Sequence, residues 1–244
     1  MFIIKLNAIG STNSFLKEYV REHPVENYTT VVAERQTQGR GQMGTQWETE
    51  TGKNLTFSIF IKTENQNTQY IFDLNCVVTT SIFKVLTTYK LPDLSIKWPN
   101  DILSDSKKIA GILIENSFKS NTQIESIIGI GINVNQKYFN NIPNATSIYN
   151  ILGTELDKDT LLNDILLEIK TNFTLYQNQG ADSLWIYFHD NLYKKNIPSL
   201  FLNTVTQQQF IGTIQKVNQN GLLVVKMEDQ SLHTFGIKEI SLIT

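Results

Sequence analysis

The chain has little cysteine and little histidine, and each shortage excludes a kind of site. Of its 244 residues, one is cysteine and three are histidine. The single cysteine, Cys76, cannot form a disulfide within the chain, and its apolar neighbours predict core packing. His23, His189 and His233 are scattered with no second ligand at metal-binding spacing, so no zinc site is predicted. We interpret each histidine as an exposed or helix-end residue.

An excess of charge of one sign and a long hydrophobic run are also missing. The 21 Lys and Arg nearly balance 23 Asp and Glu, giving a net charge of −2 with no basic run, which argues against DNA binding. The start of the chain lacks the pattern of a signal peptide, and no apolar run approaches the roughly 20 residues of a membrane span. We therefore expect a cytoplasmic protein without membrane attachment, which fits the lone cysteine.

What the chain does have is a glycine-rich loop that carries an arginine. Gly39, Arg40, Gly41 and Gly44 follow the β-like run 30–33. Glycine lets the backbone approach an anion closely, and arginine supplies a fixed fork of donors for phosphate or carboxylate. The loop predicts a site for a phosphate-bearing small molecule, and the alternative is a surface hairpin without a ligand.

The spacing of these glycines matches the dinucleotide-binding fingerprint, but their context does not. That fingerprint needs a helix that opens at the third glycine. Residues 45–53 are instead polar and lead into the β-like run 55–61. A protein-kinase loop also lies between strands, but the chain has no His-Arg-Asp and no Asp-Phe-Gly motif. The loop is therefore interpreted neither as a dinucleotide-binding site nor as a protein-kinase loop.

Periodicity and turn signals predict an α+β chain with a small β-rich end. The predicted helices cover about 12–22, 69–89, 158–177 and 181–193, and the predicted strands cover 95–98, 108–115 and 124–134. After 196–198 the pattern changes to short β-like runs at 209–217, 222–227 and 231–235, with a tight turn at Asn220-Gly221. The length suits one large domain with a small appendage.

A second charged segment, Lys-Trp-Pro-Asn-Asp at 97–101, precedes Lys107 and Lys108. Turn signals at 99–101 and 104–106 predict a hairpin that would bring these groups face to face. Lysines beside an arginine loop suit a substrate whose negative charge is spread over phosphates and a carboxylate. The alternative is a solvated charged turn beside a buried Trp98.

Together these segments resemble the biotin protein ligases over nearly the whole chain. The matching residues, in the order and spacing of that family, are Ser11-Thr12-Asn13, Gln36, Gly39-Arg40-Gly41, Trp47, the signature at 97–101, Lys108, and Gly129, Gly131 and Asn133. The resemblance implies a class II synthetase-like, biotin/lipoate ligase fold. Its parts are a mixed β-sheet catalytic domain flanked by helices over 1–195 and a small SH3-like β-barrel over 196–244. Because the matching region starts within a few residues of Met1, we expect a monofunctional ligase without an amino-terminal DNA-binding domain or a repressor function.

The resemblance also implies a reaction and a set of roles. ATP, with Mg²⁺, would activate biotin to biotinoyl-5′-AMP, and the biotin would pass to a lysine of a carrier domain of a biotin-dependent carboxylase. Homodimers formed through the edge of the central sheet are known in that family, and for this chain the sequence leaves monomer and homodimer open. The implied catalytic residues are Arg40, Lys108, Lys97 and Asp101. The implied biotin-binding residues are Ser11, Thr12, Asn13, Gln36, Gly39, Arg40, Gly41, Lys108, Gly111, Ile112, Gly129 and Gly131. The implied ATP- and adenylate-binding residues are Arg40, Gln42, Trp47, Asn100, Lys108 and Asn133, with no direct protein cage for a metal.

Two loop positions depart from the pattern of the family. Gln42 stands where the family often has arginine, and Thr45 stands where it often has arginine or asparagine. Both changes remove charge or hydrogen-bonding reach near the phosphates. Two alternative functions are a lipoate-protein ligase-like acyl-adenylate transferase, whose Arg-Arg-x-x-Gly-Gly-Gly loop is absent, and a non-catalytic sensor of biotin or nucleotide.

Overall fold

A mixed sheet of seven strands forms the larger part of the protein. The computed structural model describes residues 1–64, 69–119, 123–140 and 142–243. The strands of this sheet are β1 (Ile3–Ile9), β2 (Thr30–Gln36), β3 (Leu55–Glu64), β4 (Ser95–Lys97), β5 (Asp101–Ser104), β6 (Lys107–Phe118) and β7 (Gln123–Ile132). Their order across the sheet is β1-β2-β3-β7-β6-β5-β4. β1 and β2 are parallel, and the other neighbouring pairs are antiparallel.

In the described ranges five α-helices accompany the sheet, and they are divided unequally between its two faces. They are α1 (Thr12–Glu22), α2 (Tyr70–Thr87), α3 (Ile148–Leu152), α4 (Lys158–Gln179) and α5 (Asp182–Asp190). The main core lies between one face of the sheet and the apolar sides of α2, α4 and α5. On the other face α1 buries Leu16 in a smaller cluster with Val31, Phe60 and Ile127.

The two-residue repeat of the central strands explains this division, because successive side chains point to opposite faces. On β3, Phe57 and Ile59 enter the main core, whereas Thr56 and Ser58 alternate with them in sequence and face the other side. On β7 the isoleucines at 128, 130 and 132 enter the core, and the alternate positions include Gly129 and Gly131. The sheet therefore presents a polar, glycine-lined surface beside α1.

The helix α2 is long and apolar enough to cross a membrane by composition, but 72% of it is buried inside the protein. It is a buried core helix of the fold. Cys76 is a free, fully buried thiol on this helix, as predicted, and burial raises its pKa well above the usual range.

A second, five-stranded antiparallel sheet forms the carboxy-terminal part. It contains β8 (Pro198–Asn203), β9 (Gln209–Val217), β10 (Leu223–Met227), β11 (Leu232–Phe235) and β12 (Ile240–Leu242), in the order β11-β10-β9-β8-β12. Its turn at Gly221 docks on the larger part, where the Gly221 carbonyl accepts a 2.9 Å hydrogen bond from Trp98 Nε1. A Cβ at Gly221 would lie 2.0 Å from the ring of Phe72, so a side chain there would prevent this contact.

The structure confirms the α+β fold and most of the predicted elements. The first helix has the predicted bounds, and the tight turn at Asn220-Gly221 is present, with Gly221 at φ 73. The predicted turns around 99–101 and 104–106 enclose a strand, β5, that the sequence did not indicate. The strands β1, β8 and β12 and the short helix α3 were also not predicted. The domain boundary at 195/196, the closed SH3-like form of the second sheet and a homodimer through an edge of the central sheet stay untested.

Candidate active site

A cavity of about 250 Å³ lies between the polar face of the central sheet, the start of α1 and the glycine-rich loop. The loop folds back on itself at residues 39–47, and we call this segment the glycine hairpin. Gly41 N–H donates to Thr45 O at 2.7 Å, and Trp47 N–H donates to Gly39 O at 3.0 Å. The third glycine is followed by extended backbone at Thr45 rather than by a helix, which confirms that the loop is not a dinucleotide fingerprint.

Most of the residues predicted from the sequence line this cavity. They are Ser11, Thr12, Asn13, Gln36, Arg40, Gly41, Gln42, Trp47, Asn100, Asp101, Lys108, Gly111, Ile112, Gly129 and Gly131. Three predicted residues do not line it. Gly39 lines the outer side of the glycine hairpin, Lys97 lines a neighbouring cavity, and Asn133 is buried behind β6. The roles assigned to all of these residues stay predictions.

The start of α1 is held by a buried network of polar side chains. Gln36 Oε1 accepts from Thr12 N–H at 2.8 Å and from Thr12 Oγ1 at 3.0 Å. Ser58 Oγ lies 2.7 Å from Thr12 Oγ1 and 2.6 Å from Asn13 Oδ1. Ser11 is the residue that precedes the helix, and its hydroxyl makes no capping bond to it. Thr12 and Asn13 are thereby fixed, whereas the Ser11 hydroxyl, which does not cap the helix, can donate or accept a hydrogen bond elsewhere.

Two glycines on β7 make room for side chains that close the cavity. A Cβ at Gly129 would lie 2.4 Å from Asn13 Oδ1, and a Cβ at Gly131 would lie 2.3 Å from Cε2 of Trp47. Trp47 therefore lies directly against the strand. Its Nε1 is buried and has no hydrogen-bond partner in the part of the chain that the structure describes. An unpaired buried donor is costly, so a ligand acceptor at this position would be stabilising.

Lys108 reaches the cavity through an irregularity in the sheet. The register between β5 and β6 shifts at Ile102/Leu103, which is the signature of a bulge that re-aims a side chain. Lys108 Nζ lies 2.6 Å from Asp101 Oδ1 and 5.4 Å from the centre of the Trp47 ring. The predicted face-to-face arrangement of the two charged segments is confirmed.

The backbone of Lys108 is fixed by the segment 144–146. Its N–H donates to Asn144 O at 2.7 Å, and its carbonyl accepts from Thr146 N–H at 3.0 Å. Asn133 Nδ2 donates to Thr146 O at 3.0 Å. Asn133 thus supports the strand that carries Lys108, and it does so from outside the cavity.

Arg40 has a carboxylate partner that the sequence analysis did not single out. Its Nη2 lies 3.0 Å from Glu115 Oε2, and the same oxygen accepts from Asn13 Nδ2 at 2.7 Å. Glu115 lies on β6 at the polar face, two alternations from Gly111. The cavity is thus bordered by two cations and two carboxylates, which form two partly exposed ion pairs.

Among the described residues, none of the three histidines lines the cavity. No cluster of three or more potential metal ligands occurs in the described ranges. His23 follows α1 and His233 lies exposed on β11, as interpreted from the sequence. His189, in the last turn of α5, is half-buried, and its Nε2 lies 2.9 Å from Val217 O on β9. Burial lowers the pKa of His189 from its usual value.

Comparison with known proteins places this site in a family of acyl-transferring ligases. The profile of the biotin/lipoate A/B protein ligase family matches residues 6–133, which contain every residue that lines the cavity. The chain belongs to this family. It is 27% identical over 243 residues to the bifunctional ligase/repressor BirA of Bacillus subtilis, covering 98% of this chain and 71% of that protein. It is 25% identical to BirA of Escherichia coli over 228 residues, which are 91% of this chain and 68% of that protein.

The solved structures give the same result for the fold. The biotin protein ligase of Aquifex aeolicus, in complex with biotin and ATP, superposes with a TM-score of 0.81 at 27% identity. The match covers 99% of this chain and 98% of that one, so both sheets and the helices between them are shared.

Proposed function

We propose that the protein is an ATP-dependent biotin protein ligase. It activates biotin to biotinoyl-5′-AMP and transfers the biotin to a lysine of a carrier domain. The observation that carries this proposal is the cavity itself. The polar start of α1, Arg40 of the glycine hairpin and Lys108 all line this one space of about 250 Å³. Relatives with the same fold bind biotin, ATP or biotinyl-5-AMP.

The polar groups at the start of α1 suit the ureido ring of biotin. That ring has both N–H donors and a carbonyl acceptor, and their burial without partners would be costly. Ser11 can donate or accept, and the amide of Gln36 has both kinds of group. Because Thr12 and Asn13 are already fixed by Gln36 and Ser58, little side-chain entropy is lost when biotin binds.

The charged groups suit the transfer of the adenylyl group. A carboxylate oxygen of biotin attacks the α-phosphorus of ATP, the new O–P bond forms, and pyrophosphate leaves with the electron pair of the broken bond. Arg40 and Lys108 stabilise the charge that builds on the phosphoryl oxygens. Their present partners, Glu115 and Asp101, hold them through partly exposed ion pairs, which exchange at little cost.

The second half of the reaction needs an anhydride that is kept from water. Trp47 and the glycine hairpin cover the cavity, and water excluded by such a cover cannot hydrolyse the mixed anhydride. The amine of the carrier lysine attacks the acyl carbon, an amide bond forms, and AMP leaves. Mg²⁺ enters with ATP as part of that substrate. The proposed partner is the carrier domain of a biotin-dependent carboxylase, and the proposed location is the cytoplasm.

One assay tests this proposal and separates it from the two alternative functions. The protein is incubated with Mg-ATP, a purified carrier domain, and either biotin or lipoate, and the mass of the carrier is measured. We expect an increase equal to one biotinoyl group, which requires ATP and is absent when the carrier lysine is replaced by arginine. Transfer of lipoate in place of biotin would make the protein a lipoate ligase. Binding of biotin without any transfer would make it a sensor.

A further inference from the structure

The glycine hairpin is built to move as one piece. Its two arms are joined by the hydrogen bonds of Gly41 and Trp47, and Arg40 and Gln46 form an isolated antiparallel bridge between them. Thr45 Oγ1 donates to Gln42 O at 2.9 Å and closes the turn. A displacement of the tip is therefore passed to Arg40 and Trp47, which both line the cavity.

The tip of this hairpin touches the carboxy-terminal sheet. Met43 occupies the left-handed region at φ 55 and ψ 36, and its side chain is exposed. Its carbonyl nevertheless has a partner, because Lys238 Nζ donates to Met43 O at 3.0 Å. The two residues are 195 positions apart in the chain, so this contact is purely a product of the fold.

Lys238 is itself held firmly in the turn between β11 and β12. The Glu239 carboxylate accepts from Gly236 N–H at 2.6 Å, and Glu239 O accepts from Thr204 N–H at 3.0 Å. Thr204 Oγ1 donates to the carbonyl of Lys238, whose φ is 68. The sheet that carries this turn is docked through Trp98 and Gly221, so the lysine extends from a fixed base.

We infer that Lys238 is a positioning residue of the ligase: it ties the tip of the glycine hairpin to the carboxy-terminal sheet and so keeps Trp47 and Arg40 closed over the adenylate. This inference rests on the proposed function for the nature of the intermediate. The tie is one hydrogen bond from a charged donor, and its loss leaves the hairpin held by its two arms and by the contacts of Arg40 and Trp47. Lys53, which follows the hairpin in sequence, does not substitute, because its Nζ is paired with Glu155 at 3.2 Å.

The test compares Lys238→Met, which keeps the length of the side chain but removes its donors, with Lys216→Met. Lys216 is exposed on β9 of the same sheet, and its side chain makes no hydrogen bond or ion pair with any described residue. The first measurement is the rate of tryptic cleavage after Arg40 in the absence of ligands. Cleavage after Lys90, in the exposed turn that follows α2, is the internal control. The second measurement is the rate at which labelled biotinoyl-adenylate is released when no carrier is present.

In Lys238→Met we expect both rates to rise by about 2- to 10-fold, the range for one net hydrogen bond. Lys216→Met should match the wild type, and Lys238→Arg, which keeps a donor, should recover most of the loss. Unchanged cleavage after Arg40 would overturn the inference, even if the KM for ATP rose, because the lysine would then contact the nucleotide directly. Faster cleavage with unchanged release would also overturn it, because the tie would not retain the intermediate. If the wild type forms no adenylate, the proposed function fails, whereas the proteolysis result still decides whether the tie exists.

Discussion

Replacing Gly131 by alanine tests whether the close approach of Trp47 matters for the reaction. The added Cβ would lie 2.3 Å from Cε2, 2.5 Å from Cζ2 and 2.6 Å from Nε1 of the indole. Carbon atoms pack at about 3.5 to 4.0 Å, so the indole must move outward by roughly 1 Å or more. Since Trp47 N–H donates a hydrogen bond to Gly39 O on the other arm of the hairpin, Arg40 moves with the indole. A displacement of about 1 Å at a positioned group can cost about 100-fold in rate, and we expect a loss of that order in adenylation.

Gly111→Ala is the matched control for this prediction. Its Cβ would lie 3.1 Å and 3.2 Å from Cε and Nζ of Lys108, and 3.2 Å from Cζ3 of Trp47. The end of a lysine side chain can shift by the few tenths of an ångström that these contacts require. We therefore expect a loss of roughly 10-fold or less, well below that of Gly131→Ala.

The assay is pyrophosphate release at saturating biotin and ATP, with thermal unfolding measured in parallel. Alanine is favoured over glycine in a strand interior by roughly 0.5–1 kcal/mol, so neither variant should lose activity merely because the backbone is less stable. A Gly131→Ala enzyme with the wild-type rate, or equal losses in the two variants, would refute the view that Trp47 must lie against β7.

Four other changes have defined outcomes. Lys108→Ala should slow adenylate formation by at least ~100-fold, the scale for one preorganised charge donor, and near-normal pyrophosphate release would contradict its proposed role. Ser11→Ala should weaken biotin binding by about 1–3 kcal/mol and leave binding of an ATP analogue unchanged; equal calorimetric losses for both ligands would point to a folding defect. Gln42→Arg should add a charge-assisted contact that slows adenylate release and lowers stray biotinylation of bystander lysines, which equal single-turnover release rates would disprove. Because burial lowers the pKa of His189 from 6.5, the unfolded chain takes up its proton first as the pH falls. The free energy of unfolding should therefore decrease below about pH 6.5, and denaturant titrations should show a shallower decrease in His189→Gln.

Local patterns in the sequence predicted the fold where the pattern and the packing agree. The first helix was predicted with the right bounds because an N-terminal Ser-Thr-Asn precedes apolar residues at helical spacing. The strand β5 was not predicted because its first and last residues, Asp101 and Ser104, belong to two strong turn signals. The edge strands β1 and β12 show no strict alternation, since few of their side chains enter a core.

The residues of the cavity could be predicted only where they belong to a short sequence motif. The hairpin, Lys108 and the glycines of β7 belong to short segments with a recognisable spacing, and the fold brings them together. Ser58 and Glu115 were missed because a polar residue inside a β-like run has no local signal; its importance depends on which face of the sheet is left open. The support that Thr146 and Asn133 give to Lys108 comes from long-range pairing, which no spacing in the sequence indicates.

The contact between Lys238 and Met43 also bears on the order in which the protein is made. Every side chain that lines the cavity belongs to residues 11–131, whereas the lysine that holds the hairpin is the 238th residue. At a synthesis rate of roughly 5–20 residues per second, these two parts leave the ribosome roughly 5 to 20 s apart. The residues that line the cavity are thus translated well before Lys238. A nascent chain therefore acquires the proposed contact that retains the adenylate only near the end of its synthesis.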